Sequence, residues 1–133
     1  MSVSFFVPGA PVPQGRPRAY RLGNGVGMFD PPKSKAWKKV VAQVAGLQRN
    51  AWIDGPIEMS LVFFLPAPKE LKRPDLMHHT KKPDIDNLVK GVCDGLNGVC
   101  FGDDSQICVL SATKRYAIDG VTGVEVLISP VTT

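Results

Sequence analysis

Residues 57–65 read Ile-Glu-Met-Ser-Leu-Val-Phe-Phe-Leu, and this stretch is the clearest β-strand pattern in the chain. Every second residue, starting from Ile57, is large and apolar, which predicts one face packed against a core. The opposite face also carries Val62 and Phe64, so the pattern favours a central strand over an edge strand. We therefore expect the sheet to be built on both sides of this segment.

Two segments carry the apolar period of an amphipathic helix. The first begins after Ser34, a residue type that caps helix N-termini well, and runs to about Gln48. Trp37 belongs to its apolar stripe and is expected in the core. The second helix covers about Ile85–Asn97, and its core positions include Cys93.

Three further strands are predicted at Val3–Val7, Ile107–Tyr116 and Val121–Ile128. The last two should form a hairpin through the Asp119–Gly120 turn, and Gly23–Gly27 should be a turn or a flexible tip. The order is strand, helix, strand, helix, strand, strand, which predicts an α+β fold with a small mixed sheet and two main helices. The sequence shows no repeat and no domain boundary, so residues 1–133 are expected to form a single domain.

The composition narrows the class of protein. The chain has 133 residues, 44% of them hydrophobic and 21% charged, which is typical of a globular domain. No apolar run approaches the roughly 18 residues of a spanning helix, so no membrane association is expected. The N-terminus lacks the pattern of a signal peptide, and three cysteines without a CxxC pair favour a reducing, cytoplasmic location. Cys93 and Cys108 are expected to be buried thiols, whereas Cys100 is left unassigned.

Charge is segregated along the chain. Residues 1–50 hold eight Lys or Arg and one acid, net +7, while residues 51–133 hold eight basic and eleven acidic residues, net −3. A basic segment of this kind suits the phosphates of DNA, although it is equally typical of a solvated basic face. Arg16 and Arg18 are two residues apart in an extended stretch and should point the same way. Lys81 and Lys82 lie in the basic, proline-rich loop 66–83 and are further candidates for contacting DNA.

Carboxylates cluster at two places. Asp84 and Asp86 stand at the start of the second helix, and Asp103 and Asp104 precede the next strand. Taken separately, the first pair is typical of helix capping and the second of an exposed turn. Lys90 follows Asp86 by four residues, the spacing of an exposed helical ion pair.

Taken together, these residues suit a metal-dependent nuclease. Carboxylates hold Mg²⁺ with water and substrate phosphate completing its shell, and the metal activates water for attack on a phosphodiester. A lysine one turn along the helix would hold the scissile phosphate or stabilise the charge that develops on it. This site forms only if the 103–104 loop returns beside the start of the helix.

Rival motifs are incomplete. The Asp84–Leu88 spacing does not complete an EF-hand, and the chain has neither a P-loop nor a dinucleotide-binding glycine pattern, so no organic cofactor is expected. His78 and His79 are expected to be solvated loop residues.

Three stretches resemble the RusA family of Holliday-junction resolvases. They are Lys82-Pro83-Asp84-Ile85-Asp86-Asn87-Leu88-Val89-Lys90, Asp94-Gly95-Leu96-Asn97 and Phe101-Gly102-Asp103-Asp104-Ser105-Gln106-Ile107. The opening Pro8-Gly9-x-Pro11 with Gly15-Arg16-Pro17-Arg18 is similar to that of the family as well. The resemblance covers most of the chain and is densest at 82–107.

The resemblance implies a site and a reaction. It assigns Asp84, Asp86 and Asp104 as catalytic metal ligands, with the adjacent Asp103 as the alternative to Asp104, and Lys90 as the essential lysine. It further implies Mg²⁺, with Mn²⁺ as a substitute, a homodimer, and four-way DNA as the substrate. Such enzymes occur in bacteria and phages and make paired cuts in strands of like polarity.

Two other functions remain open from the sequence. The chain would be a non-catalytic DNA-binding module if the carboxylates served only as helix caps. It would be a general nuclease for branched DNA if the same site lacked selectivity for four-way junctions.

Overall fold

Six strands and two helices are found in this computed structural model, which describes residues 2–14, 18–22, 25–29, 31–71 and 78–131. For residues 18–22 and 25–29 only the backbone is described. In chain order the elements are β1 (Val3–Pro8), β2 (Arg18–Leu22), β3 (Gly25–Phe29), α1 (Pro32–Gly46), β4 (Ile57–Leu65), α2 (Ile85–Leu96), β5 (Ile107–Tyr116) and β6 (Gly123–Pro130).

The main sheet has four strands in the order β1-β6-β4-β5. β4 pairs with β6 in antiparallel and with β5 in parallel fashion, and β1 pairs antiparallel with β6 on the far side. The prediction that β4 is central is confirmed, with the predicted boundaries 57 and 65. The mixed sheet and two helices also confirm the α+β class.

The predicted hairpin between β5 and β6 is wrong. These strands follow one another in sequence, but β4 lies between them in the sheet. The Asp119–Gly120 turn does exist, with positive φ at both residues and a bridge from Ile118 to Val121. It belongs to a connection that crosses the end of β4, where Ala117 N–H donates to the Leu65 carbonyl at 2.7 Å. Turn chemistry is local, whereas the partner of a strand depends on the whole sheet.

The predicted start of β6 at Val121 is also wrong, because the strand begins at Gly123. Gly123 has φ +156°, and a Cβ there would lie 2.3 Å from Cζ of Phe6. Only glycine lets β6 run this close to β1 at their first paired residues. The position of this glycine therefore determines where pairing begins.

The predicted turn at 23–27 is wrong for residues 25–27. These residues belong to β3, which pairs antiparallel with β2 in a separate two-stranded sheet. Residues 23–24 lie outside the described part of the chain.

Helix α1 begins before the expected cap. Pro31 is at the N-cap, and Ser34 is buried inside the helix. The Ser34 hydroxyl donates instead to the Pro13 carbonyl at 3.0 Å, so it ties the helix to the extended segment after β1. The helix ends at Gly46, close to the predicted end at Gln48, and Trp37 is buried as expected.

The hydrophobic core lies between both helices and one face of the sheet. It draws on every strand of the main sheet except β5, whose Ile107 and Ala112 pack against it from the edge. No helix within the described ranges is long and apolar enough to cross a membrane. The largest fully buried side chains of the core include Ile57, Leu61, Phe63, Leu88, Leu96, Phe101 and Ile128.

Two predictions of side-chain burial are wrong. Cys108, expected to be buried, is exposed on β5, while Cys93 is buried as predicted and Cys100 is buried as well. His79, expected to be solvated, is buried with its ring 4.9 Å from that of Tyr116. Burial, and secondly the charge of Lys114, lower the pKa of His79. His78 is exposed as predicted.

Candidate active site

Asp84 occupies the N-cap position of α2 but does not cap it. Its backbone is extended, with φ −71° and ψ 142°, and its side chain makes no capping hydrogen bond. The carboxylate instead faces the Lys82 ammonium, with Nζ at 3.0 and 3.1 Å from the two oxygens. The Asp84 side chain is 52% exposed. Capping therefore does not explain this residue, and its carboxylate is accessible to a ligand from solvent.

Asp86 and Lys90 lie one turn apart on α2, and both are exposed. The ion pair that this spacing predicts between Asp86 and Lys90 is not among the described contacts. Lys90 pairs with Asp94, the next acid along the same helix, with Nζ 3.3 Å from Oδ1. Because residues four apart share a helix face, Asp86, Lys90 and Asp94 form a row along α2.

The Asp103–Asp104 segment forms a 3₁₀ turn held by Gln106. The Gln106 side-chain oxygen accepts from the N–H groups of Gly102 at 2.9 Å and Asp103 at 3.1 Å. Its amide nitrogen donates to the carbonyls of Ile53 at 3.1 Å and Gly55 at 2.9 Å. One neutral amide thus makes four hydrogen bonds and joins the acidic turn to the segment before β4. The sequence displays Gln106 only as part of the family resemblance, and its role comes from the fold.

Asp103 and Asp104 differ in their surroundings. The Ser105 hydroxyl donates to Oδ2 of Asp103 at 2.5 Å. This bond, assisted by nearby backbone N–H groups, lowers the pKa of Asp103. The Asp103 carboxylate is therefore engaged inside its own turn, which Asp104 begins as its first residue.

The charge of Asp104 acts on Cys93, a buried residue of α2. Burial, and then the charges of Asp104 and Asp94, raise the pKa of the Cys93 thiol to about 11. Among the residues that the structure describes, no three His, Cys, Asp or Glu side chains form a group able to hold a metal ion.

The donor set nevertheless suits a hard cation such as Mg²⁺. Mg²⁺ commonly binds through one or two carboxylates and fills its remaining positions with water and substrate phosphate. Asp84 and Asp86, two residues apart and both exposed, can supply such a pair.

The extended segment before the basic stretch is attached to the start of α2. Gln14 N–H donates to the Asn87 carbonyl at 2.9 Å. A Cβ on Gly91 would lie 3.1 Å from the Val12 carbonyl oxygen, so this glycine allows the close approach. An open cleft beside the contact is lined by Pro13, Lys82, Pro83, Asp84 and Asn87. Sequence reasoning missed this attachment, although a glycine inside α2 was a signal for it.

The basic candidates are only partly described. Lys81 and Lys82 are exposed, and Pro83 separates them from Asp84. Arg16 lies outside the described residues. Arg18 begins β2, where the backbone alone is described. Because residue 14 is held against α2, the chain enters this basic stretch near the acidic helix start.

Comparisons with known proteins identify the family of this chain. A family model described as "Endodeoxyribonuclease RusA" matches residues 8–129, nearly the whole chain. A curated protein of Bacillus subtilis (strain 168), "Uncharacterized protein YqaN", is 42% identical over 125 residues, which cover 86% of this chain and 88% of that protein. The described carboxylates and the attached N-terminal segment both fall within the matched region. The chain belongs to the RusA family of endodeoxyribonucleases.

Proposed function

We propose that this protein is a Mg²⁺-dependent endonuclease that resolves Holliday junctions by paired, symmetric cuts during DNA recombination and repair. The observation that carries the proposal is the set of side-chain contacts that Asp84 makes, in a chain that belongs to this nuclease family. Asp84 stands at a helix N-cap, makes no capping bond, and presents an exposed carboxylate beside Asp86. An acid that does not cap the helix, and whose described partner is the exposed Lys82, is accessible to a metal.

Asp84 and Asp86 are proposed as metal ligands at the start of α2. Asp104 is proposed as the third ligand in preference to Asp103, whose carboxylate is engaged by Ser105. Bound Mg²⁺, or Mn²⁺ in its place, supplies an activated water and stabilises charge on the phosphate.

Lys90 is proposed to bind the scissile phosphate. It lies on the same helix face as Asp86, one turn further on, and its present partner is the partly buried Asp94 at 3.3 Å. An exposed helical ion pair is worth only about 0.3–0.5 kcal/mol, so exchange of Asp94 for a phosphate costs little. The cut would leave 5′-phosphate and 3′-hydroxyl ends.

The DNA backbone is proposed to follow the basic residues next to the cleft. Lys82 and Pro13 line that cleft; Lys81 is next to Lys82 in the sequence, and Pro13 belongs to the segment that leads to Arg16 and Arg18. A homodimer would present two such sites about a two-fold axis, matching a four-way junction. The three free thiols are consistent with action inside the cell.

The test is cleavage of a labelled four-way junction by wild type and by Asp84→Asn, each with Mg²⁺ and with EDTA. We expect paired symmetric cuts only from wild type with metal. Asp84→Asn should still bind the junction, and as tightly or more tightly, because it removes a negative charge next to the DNA. Loss of junction binding by folded Asp84→Asn would contradict the assignment of Asp84.

The same assay separates the two alternatives. Junction binding without cutting in any divalent metal would indicate a non-catalytic DNA-binding module. Equal cutting of a linear duplex, a Y-fork and a four-way junction would indicate a general nuclease. The capping role that the non-catalytic alternative requires of Asp84 is not seen, since that side chain makes no capping bond.

A further inference from the structure

Lys114 fastens the loop in front of Asp84 to the sheet. Its ammonium donates to the carbonyl oxygens of Lys81 and Pro83, each at 2.8 Å. Its own backbone carbonyl accepts from the N–H of His79 at 3.2 Å. One residue of β5 therefore holds both ends of the segment 79–83.

The position of Lys114 is set by the pairing of β5 with β4. In the parallel β4–β5 pair, Lys114 is opposite Phe63, which is fully buried on the face covered by the helices. Paired residues of neighbouring strands point to the same side of the sheet, so Lys114 extends from that face toward the loop. Its position is consequently determined by the central strand and not by the loop that it holds.

The hydrogen bond to Pro83 acts directly on Asp84. The Pro83 carbonyl and the Asp84 N–H belong to one planar peptide group. When Lys114 holds the oxygen, it sets the orientation of this plane and thereby the direction in which the Asp84 side chain leaves the backbone. On the other side of the residue, the Asp84 carbonyl accepts from the Leu88 N–H at 3.2 Å, while the carboxylate makes no bond to the helix.

We propose that Lys114 is a positioning residue for the metal site, acting through the Pro83–Asp84 peptide; this rests on the proposed function of Asp84. The ammonium of Lys114 faces two backbone carbonyls, so its main task is not to bind DNA phosphate. Groups that orient metal ligands typically change metal affinity or activity about 10- to 100-fold when they are removed.

The test measures metal binding apart from cleavage, by titrating full-length protein with Mn²⁺ and following free Mn²⁺ by electron paramagnetic resonance. Lys114→Met should weaken Mn²⁺ binding by roughly tenfold or more. Lys69→Met, which removes the same charge from an exposed loop lysine, should bind Mn²⁺ nearly as wild type does. In EDTA, junction binding should fall no further in Lys114→Met than in Lys69→Met.

A folded Lys114→Met that binds Mn²⁺ as tightly as Lys69→Met overturns the positioning role and leaves the proposed function intact. Loss of junction binding in EDTA without loss of Mn²⁺ affinity also overturns it, because Lys114 would then be a DNA contact. A wild type that binds no Mn²⁺, with or without junction, overturns both proposals. If Lys114→Met does not fold, Lys114→Gln takes its place, because its amide keeps one donor group. Lys114→Gln should lose less Mn²⁺ affinity than expected for Lys114→Met. Undiminished Mn²⁺ affinity in Lys114→Gln would equally overturn the proposal.

Discussion

At the scale of single residues, the acids of this site have separate tasks despite their similar appearance. Asp103 accepts a hydrogen bond from Ser105 within its turn, whereas Asp84 does not cap its helix and faces a lysine. The difference comes from neighbours and not from residue type. Adjacent or equally spaced acids therefore cannot be assigned to one role without their surroundings.

Gln106 supports a first prediction at this scale. Gln106→Glu keeps the shape of the side chain but replaces the amide donor with an oxygen that faces the carbonyls of Ile53 and Gly55. We expect a loss of about 1–3 kcal/mol in the free energy of unfolding, since two acceptors lose their donor and meet a negative charge. Urea denaturation measures this loss.

The matched control is Gln43→Glu, at an exposed position of α1, which should change stability by less than about 0.5 kcal/mol. Equal stability of the two variants would mean that Gln106 does not hold the acidic turn.

At the scale of elements, the two helices meet through a glycine. A Cβ on Gly95 of α2 would lie 2.9 Å from two side-chain atoms of Val41 and 3.0 Å from the Lys38 carbonyl oxygen on α1. The helices therefore pack more closely at this point than any larger residue permits. Because α2 carries Asp86 and Lys90, this packing also helps to position the helix that bears the candidate site.

Gly95→Ala should destabilise the protein by about 1–3 kcal/mol, because the added methyl group overpacks the helix interface. Gly46→Ala is the control: this glycine also lies in a helix, but a Cβ there would meet no atom within 4 Å. It should be neutral or stabilising by up to about 1 kcal/mol, since alanine favours the helix. Thermal unfolding of both variants checks the contrast, and equal melting temperatures would contradict the close packing.

At the scale of the whole molecule, the sheet is covered on one side. The face turned away from the helices carries Phe64, Val109 and Leu127, and the last two are 45% and 44% exposed. The homodimer implied by the family resemblance remains a prediction, as no partner chain is part of this structure.

The three thiols report on folding of the whole chain. Burial raises the pKa of both Cys93 and Cys100 to about 11, whereas Cys108 is exposed. At pH 8 the two buried groups remain protonated thiols shielded from reagents, and thiolates are the reactive form. A disulfide reagent should therefore label Cys108 quickly in native protein, and label Cys93 and Cys100 only at the rate of unfolding.

Cys108→Ser should abolish the fast phase and leave the slow one unchanged. Two fast thiols in native wild type would contradict the described burial of Cys93 or Cys100.

The sequence by itself determined the elements and the chemistry that they carry. Patterns within a few residues predict the strand 57–65, the helix from Ile85 and the close spacing of Asp84 and Asp86 at its start. This is possible because periodicity and helix starts are local properties. The family resemblance depends on the same local stretches. For this reason the α+β class and the nuclease family can be predicted from the order of residues alone.

Only the tertiary structure decided how distant segments meet. It placed β4 between β5 and β6. It also joined Gln106 to Ile53 and Gly55, which lie 53 and 51 positions away in the sequence. Lys114 likewise reaches carbonyls 31 and 33 positions distant. Such contacts depend on which strands pair and how closely the helices pack. Those outcomes are set by the burial of the whole core and are absent from any local pattern.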